Sequence, residues 1–134
     1  MLPLLLPAVL ALGPQPADVL HAWDERRAAA WSAGDAAGLR TLYTSGSVAG
    51  RRDVAMLRVW TARGLRVAGM RTQLLRVSVR AQAPARLVLE VTDRVIGGVA
   101  VPGAVPLPRD RPTGHVVTFR RVAGEWRVSS VRSG

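Results

Sequence analysis

At Gly64 the hydrophobic period of the chain changes. Upstream, apolar residues recur at helical spacing; downstream they alternate, as strands do. A chain that spends its first half on amphipathic helices and its second on alternating strands is an α+β protein. The helices must cover one face of the sheet that follows.

The helical half divides at glycines. Asp18 is a good N-cap for a first helix, in which Val19, Leu20, Trp23, Ala30 and Trp31 share a face, and Gly34 is its natural stop. His21, Asp24, Glu25, Ala28 and Ser32 lie elsewhere on the wheel. Arg27 breaks the pattern, because it falls inside the apolar stripe between Trp23 and Trp31. A charge there must snorkel outward or find a partner. Asp35 caps a second, short helix with Leu39, Leu42 and Tyr43 on its apolar side. Thr44 to Arg52 reads as a loop, and Asp53 as the cap of a third helix ending at Gly64.

The second half predicts strands over Leu65–Arg80, Arg86–Val95, His115–Val122 and Trp126–Val131. Ala81 to Ala85 is a turn, and Ala123-Gly124 turns the last hairpin. In the second strand Leu87, Leu89, Val91, Asp93 and Val95 share a face. A hairpin centred near Ala83 pairs Val79 with Leu87, Val77 with Leu89, Leu75 with Val91 and Gln73 with Asp93. Gly97 to Gly114 is rich in Pro and Gly and reads as one long loop.

The 134 residues suit one domain, expected over 18–134. Residues 1–17 differ in kind. Met1 to Leu12 is apolar but too short for a span of roughly 20 residues. It reads as the apolar part of a secretory segment, followed by the linker GPQPA. The expected location is therefore secreted or membrane-associated outside the cytoplasm, with membrane contact only through this segment.

The formal net charge is +10, which first suggests nucleic acid. All 19 basic residues, however, are Arg; Lys and Asn are absent and Ile96 is the only isoleucine. That is the signature of a GC-rich genome. The arginines form no run, so no nucleic-acid partner is expected. With no cysteine there are no disulfides and no thiolate metal sites. No cofactor or metal is expected, since His21 and His115 have no convergent carboxylates in the sequence pattern.

The segments DVLHAWDERRAAAWSAGDAAGLRTLY, VTDRV and HVVTFRRVAGEWRVSSV together resemble the NTF2-like superfamily, over roughly Asp18 to Arg132. This is the cone fold shared by nuclear transport factor 2, ketosteroid isomerase and SnoaL-type cyclases. The chain is similar also to extracytoplasmic actinobacterial members. The resemblance implies three N-terminal helices packed on a curved antiparallel sheet, with a pocket at the mouth of the cone. The expected lining is Trp23, Arg27, Trp31, Tyr43, Gln73, Asp93 and His115. Asp93 is the sharpest of these. A carboxylate on an apolar strand face needs a partner, either Arg27 or Arg71, or else it serves as a general base.

The expected function is a non-catalytic domain of the cell envelope that binds a small apolar ligand or a protein partner. A homodimer through the sheet face fits the same reading. The alternative is an isomerase- or SnoaL-like enzyme using Asp93 as general base in the cone pocket. An enzyme requires a polar-floored pocket with a carboxylate of raised pKa. An interaction domain requires a filled cone and an exposed apolar sheet face. A nucleic-acid binder requires Arg gathered on one face.

Overall fold

The computed structural model describes residues 15–134. The reading of Met1 to Leu12 as a secretory segment lies outside them. Three helices, α1 (Pro16–Ala33), α2 (Ala36–Thr41) and α3 (Val48–Ala62), precede strands β1 (Arg66–Ala83), β2 (Arg86–Val101), β3 (Val105–Pro106), β4 (Thr113–Val122) and β5 (Glu125–Ser133). The sheet is antiparallel and curved, in the order β1-β2-β4-β5, with β3 added beside β2. The expected α+β cone of three helices on one sheet is what forms.

The first helix begins two residues before its expected cap. Pro16 opens it, with Gln15 at the N-cap and no side-chain cap bond. Proline is pre-shaped for the first helical turn, where its missing N–H is not needed. Asp18 falls in that turn and complements the helix dipole. Gly34 ends α1 as expected, in the left-handed conformation at φ 65°. Asp35 caps α2, its carboxylate accepting from the Gly38 N–H at 2.8 Å.

The third helix departs from expectation. Ser47, not Asp53, is its N-cap, accepting from the Gly50 N–H at 3.1 Å. The helix therefore starts inside the stretch read as a loop. Asp53 lies in its interior, where its carboxylate is free to bond elsewhere.

The apolar stripe of α1 packs Leu20, Trp23 and Trp31 onto a core that includes Leu57, Leu89, Val91, Phe119 and Val128. Trp23 meets Tyr43 edge-on at 5.3 Å between ring centroids, and its indole N–H donates to the Leu42 carbonyl at 2.8 Å. The turn after α2 is stitched to β5: Val128 N–H donates to Leu42 O and Thr44 N–H to Val128 O, each at 2.9 Å. Such paired backbone bonds tie the helical layer to the sheet and satisfy groups that burial would otherwise orphan.

The β1–β2 register differs from the expected one. Val79 pairs with Leu89, Val77 with Val91, Gln73 with Arg94 and Leu74 with Asp93. The turn lies at Pro84-Ala85 rather than at Ala83, which offsets the pairing beside it, and irregularities at 79/81 and 74/76 each bring the register one residue back toward the expected one. A bulge adds one residue to one strand and bends it, so the offset differs along the ladder. The long loop is also shorter than expected. β2 continues to Val101, and β3 folds back on it, pairing Pro106 with Val99.

Candidate functional site

A cavity of about 790 Å³ opens between the inner face of the sheet, α1 and α3. Leu20, Val48, Met56, Val95 and Val117 supply apolar wall; Asp24, Arg27, Asp53, Asp93 and His115 supply the polar groups. Its size suits a small organic molecule.

The sheet builds one half of the polar set. Asp93 on β2 lies opposite Thr113 on β4, and His115 lies opposite Val91. His115 is thus the diagonal neighbour of Asp93 on the same face, within reach of a long side chain. Its Nε2 is 3.2 Å from the carboxylate, and both side chains are mostly covered, at 21% and 15% exposure. The hydrogen bond to Asp93 raises the His115 pKa above its ordinary value, against the opposing effect of burial. Asp93 is therefore paired neither with Arg27 nor with Arg71. The shifted register accounts for Arg71, since Asp93 lies opposite Leu74 rather than Gln73.

The helices build the other half. Arg27 donates from Nε and a terminal nitrogen to both oxygens of Asp53, at 2.6 and 2.8 Å. The Tyr43 hydroxyl donates to the same carboxylate at 2.6 Å and the Trp31 indole N–H at 3.1 Å. Burial opposes ionisation of Asp53, but these donors prevail and hold its pKa below the usual carboxylate range. Burial likewise opposes the charge on Arg27, yet the Asp53 bonds keep it firmly protonated. Burial, and then the Asp53 charge, push the Tyr43 phenol well above its ordinary value. Arg27 thus finds the partner its place in the stripe demanded, on α3 rather than on the sheet.

Asp24 stands between the two halves. Its carboxyl is pushed up to about 6, mainly by burial and then by the negative charge of Asp93. It is a carboxylate poised to exchange a proton near neutral pH, in a cavity shared with a histidine already held by an acid.

Comparison with known proteins speaks to the fold. No protein-family model matches the sequence, and no curated protein matches it. Solved structures do. Aln2 from a Streptomyces species superposes with a TM-score of 0.59 at 15% identity, over 90% of this chain and 93% of that one. An NTF2-like protein from Cytophaga hutchinsonii gives 0.56 at 14% identity, over 90% and 100%. The intermembrane space region of the chloroplast protein ARC6 gives 0.58 at 14%, over 87% and 92%. The fold is NTF2-like.

Within this NTF2-like cone, the structure places Trp23, Arg27, Tyr43, Asp93 and His115 along the cavity. Trp31 instead packs behind it and contributes its N–H to Asp53. Gln73 takes no part, since its side-chain oxygen accepts from Arg94 at 2.7 Å. Asp24 and Asp53 are the residues sequence reasoning passed over, one placed off the apolar face of α1 and the other read as a cap. A signal for Asp24 was present. Leu20, Trp23, Asp24, Arg27 and Trp31 follow the three- and four-residue spacing of a single helix face. His21, by contrast, is exposed as expected and pairs with Glu25 at 3.1 Å. Among the described residues no group of three or more metal-ligating side chains converges, and no helix is long and apolar enough to cross a membrane.

Proposed function

We propose that this NTF2-like domain is an acid–base enzyme acting on a small, largely apolar carbonyl compound. The observation that carries the reading is the Asp24 carboxyl, raised to about 6 in a cavity it shares with the Asp93–His115 pair. A base with a pKa near the working pH combines availability with driving force. Asp24, as carboxylate, takes a proton from the carbon next to the carbonyl. The C–H electron pair forms a carbon–carbon double bond as the carbonyl π pair moves onto oxygen, giving an enolate. The His115 imidazolium, oriented by Asp93, donates to that oxygen as charge develops. Proton return at a different carbon, or loss of a β-substituent, completes an isomerisation or an elimination. Asp93 then orients and stabilises the imidazolium, where the sequence suggested a direct base.

The test is solvent-deuterium exchange into a panel of cyclic enones and β-keto esters, followed by proton NMR. Exchange by the native chain that collapses in Asp24→Asn and falls in His115→Gln is the expected result. Exchange no faster than in Asp24→Asn across the panel would remove the enzymatic reading. A second reading, ligand binding without catalysis, is supported by the apolar wall of Leu20, Val48, Met56, Val95 and Val117. It wins if a panel member binds saturably while no exchange occurs. A location outside the cytoplasm rests on the apolar run Met1–Leu12, and fractionation of cells making the full chain tests it.

A further inference from the structure

A second cavity, of about 680 Å³, lies on the far side of Tyr43, between α2, the 44–47 turn, α3 and β5. Arg40, Arg51, Arg58 and Arg127 all reach it, and its lining contains neither Asp nor Glu. Four of the 19 arginines thus gather around one concavity, although they are scattered in sequence. The arginine–carboxylate pairs among the described residues are Arg27–Asp53 and Arg80–Glu90, so none of these four has an acidic partner.

Like charges drawn together without counter-charge repel, and more strongly beside a low-dielectric wall than in water. Arg127 makes the imbalance sharper. Its place on β5, opposite Arg120, fixes it beside the buried Val128. Its Nε is buried and has no hydrogen-bond partner among the described residues. Native proteins rarely leave a buried donor unmade without a reason. Arg51 is already positioned, donating to the Gly46 carbonyl at 2.9 Å. The remaining lining includes the hydroxyl residues Thr44 and Ser45, with Val54 as an apolar patch, while the Thr41 hydroxyl already donates to the Gly38 carbonyl at 2.7 Å.

We propose that this cavity binds a compact phosphate-ester anion. Guanidinium groups match phosphate oxygens in fork geometry, and hydroxyls complete the donor set. Val54 and the Tyr43 ring would take a small organic body. The concave, bounded shape fits a small ligand rather than a polymer track, and its volume lies in the small-molecule range. The phosphate source is either a soluble ester or a lipid headgroup, which present the same chemistry to these side chains.

The experiment uses the full chain at about 150 mM salt, where surface attraction is screened over roughly 8 Å. Inorganic pyrophosphate is titrated calorimetrically in one arm, phosphatidylglycerol vesicles in a second, and a short DNA duplex in a third. Saturable binding of pyrophosphate or of the vesicles is expected, weakened about tenfold or more in Arg127→Met and in Arg58→Ala. Arg120→Ala, outside the cavity, should bind as the native chain does. Pyrophosphate should raise the melting temperature of the native chain and of Arg120→Ala but not of Arg127→Met, a readout that also reports whether each variant is folded. Binding by pyrophosphate points to a soluble ester, and binding by vesicles alone to a headgroup. No saturable binding in either arm, equal losses in Arg120→Ala, or tighter binding of DNA shared by all variants would overturn the proposal.

Discussion

Arg27 and Asp53 form a two-pronged ion pair between α1 and α3, with N···O distances of 2.6 and 2.8 Å. Tyr43 and Trp31 donate to the same carboxylate, so one acid organises three donors. Removing it leaves them all unsatisfied, whereas removing Arg27 leaves Asp53 two of its donors.

Asp53→Ala should therefore cost about 3 kcal/mol in urea unfolding, the low end for a buried pair because the Arg27 side chain keeps 26% exposure. The double variant with Arg27→Met should cost less than the two single losses added together. The pH dependence has a definite sign. The folded pKa of Asp53 lies below its unfolded value, so the stabilisation is complete above that unfolded value, near about 3.9. It is lost as pH falls through the folded pKa. Native chain and Asp53→Asn should therefore converge in stability in strong acid. Strict additivity of the two variants would remove the pair as a stabilising unit.

Asp24 behaves in the opposite sense. A folded pKa of about 6 means that the native state holds this proton more tightly than the unfolded chain does. Stability then declines as pH rises from about 4 to 6 and stays lower above that range. Asp24→Asn should accordingly stabilise the domain at pH 8, by up to about 3 kcal/mol, and leave it nearly unchanged below about pH 4. The same substitution should abolish proton exchange. Gaining stability while losing activity is the behaviour of a strained functional group. Denaturant midpoints at the two pH values check it; equal midpoints at both would place Asp24 in ordinary solvent.

His115 owes its raised pKa first to the Asp93 hydrogen bond, while burial acts against it. In Asp93→Asn the imidazole should titrate at a lower pH than in the native chain, as followed by its ring proton resonances. The native pair stabilises the fold fully below the unfolded histidine value of about 6.5, and this contribution fades as pH rises through the higher folded pKa. An unchanged titration would mean that the two side chains do not interact in solution.

Gly50 allows α3 to lie against Tyr43. A Cβ at this position would stand 2.7 Å from the Cβ and Cγ of Tyr43, closer than such atoms approach. Gly50→Ala should therefore destabilise the domain by about 1–3 kcal/mol, despite alanine's better helix propensity. A gain in melting temperature would show that α3 can move away freely.

How much of this was legible can be traced residue by residue. The period change at Gly64, the stop at Gly34 and the cap at Asp35 placed the elements, because each follows from local backbone chemistry. The face shared by Leu89, Val91 and Asp93 was equally local, since strand alternation has a period of two. Partners were harder. The diagonal that brings His115 to Asp93 depends on pairing between β2 and β4, separated by the excursion through β3. The Arg27–Asp53 pair depends on where α3 begins, and Asp53 was read as its cap, whereas Ser47 caps it. Placing the cap at Asp53 hid the carboxylate that the guanidinium on α1 needs. The gathering of Arg40, Arg51, Arg58 and Arg127 is a property of tertiary structure alone, invisible to any search for runs of charge.

Tyr43 lines both cavities and is held in place by Asp53, Trp23 and Gly50. It is a party wall. A larger or smaller side chain there alters two rooms at once, so neither cavity can be reshaped through this position alone. Changes that adapt one chamber to a new occupant must come from Leu20, Met56 or Val95 on one side, or from Val54 and Arg58 on the other. Variation among natural versions of this domain at Tyr43 should accordingly be accompanied by changes on both sides of the ring.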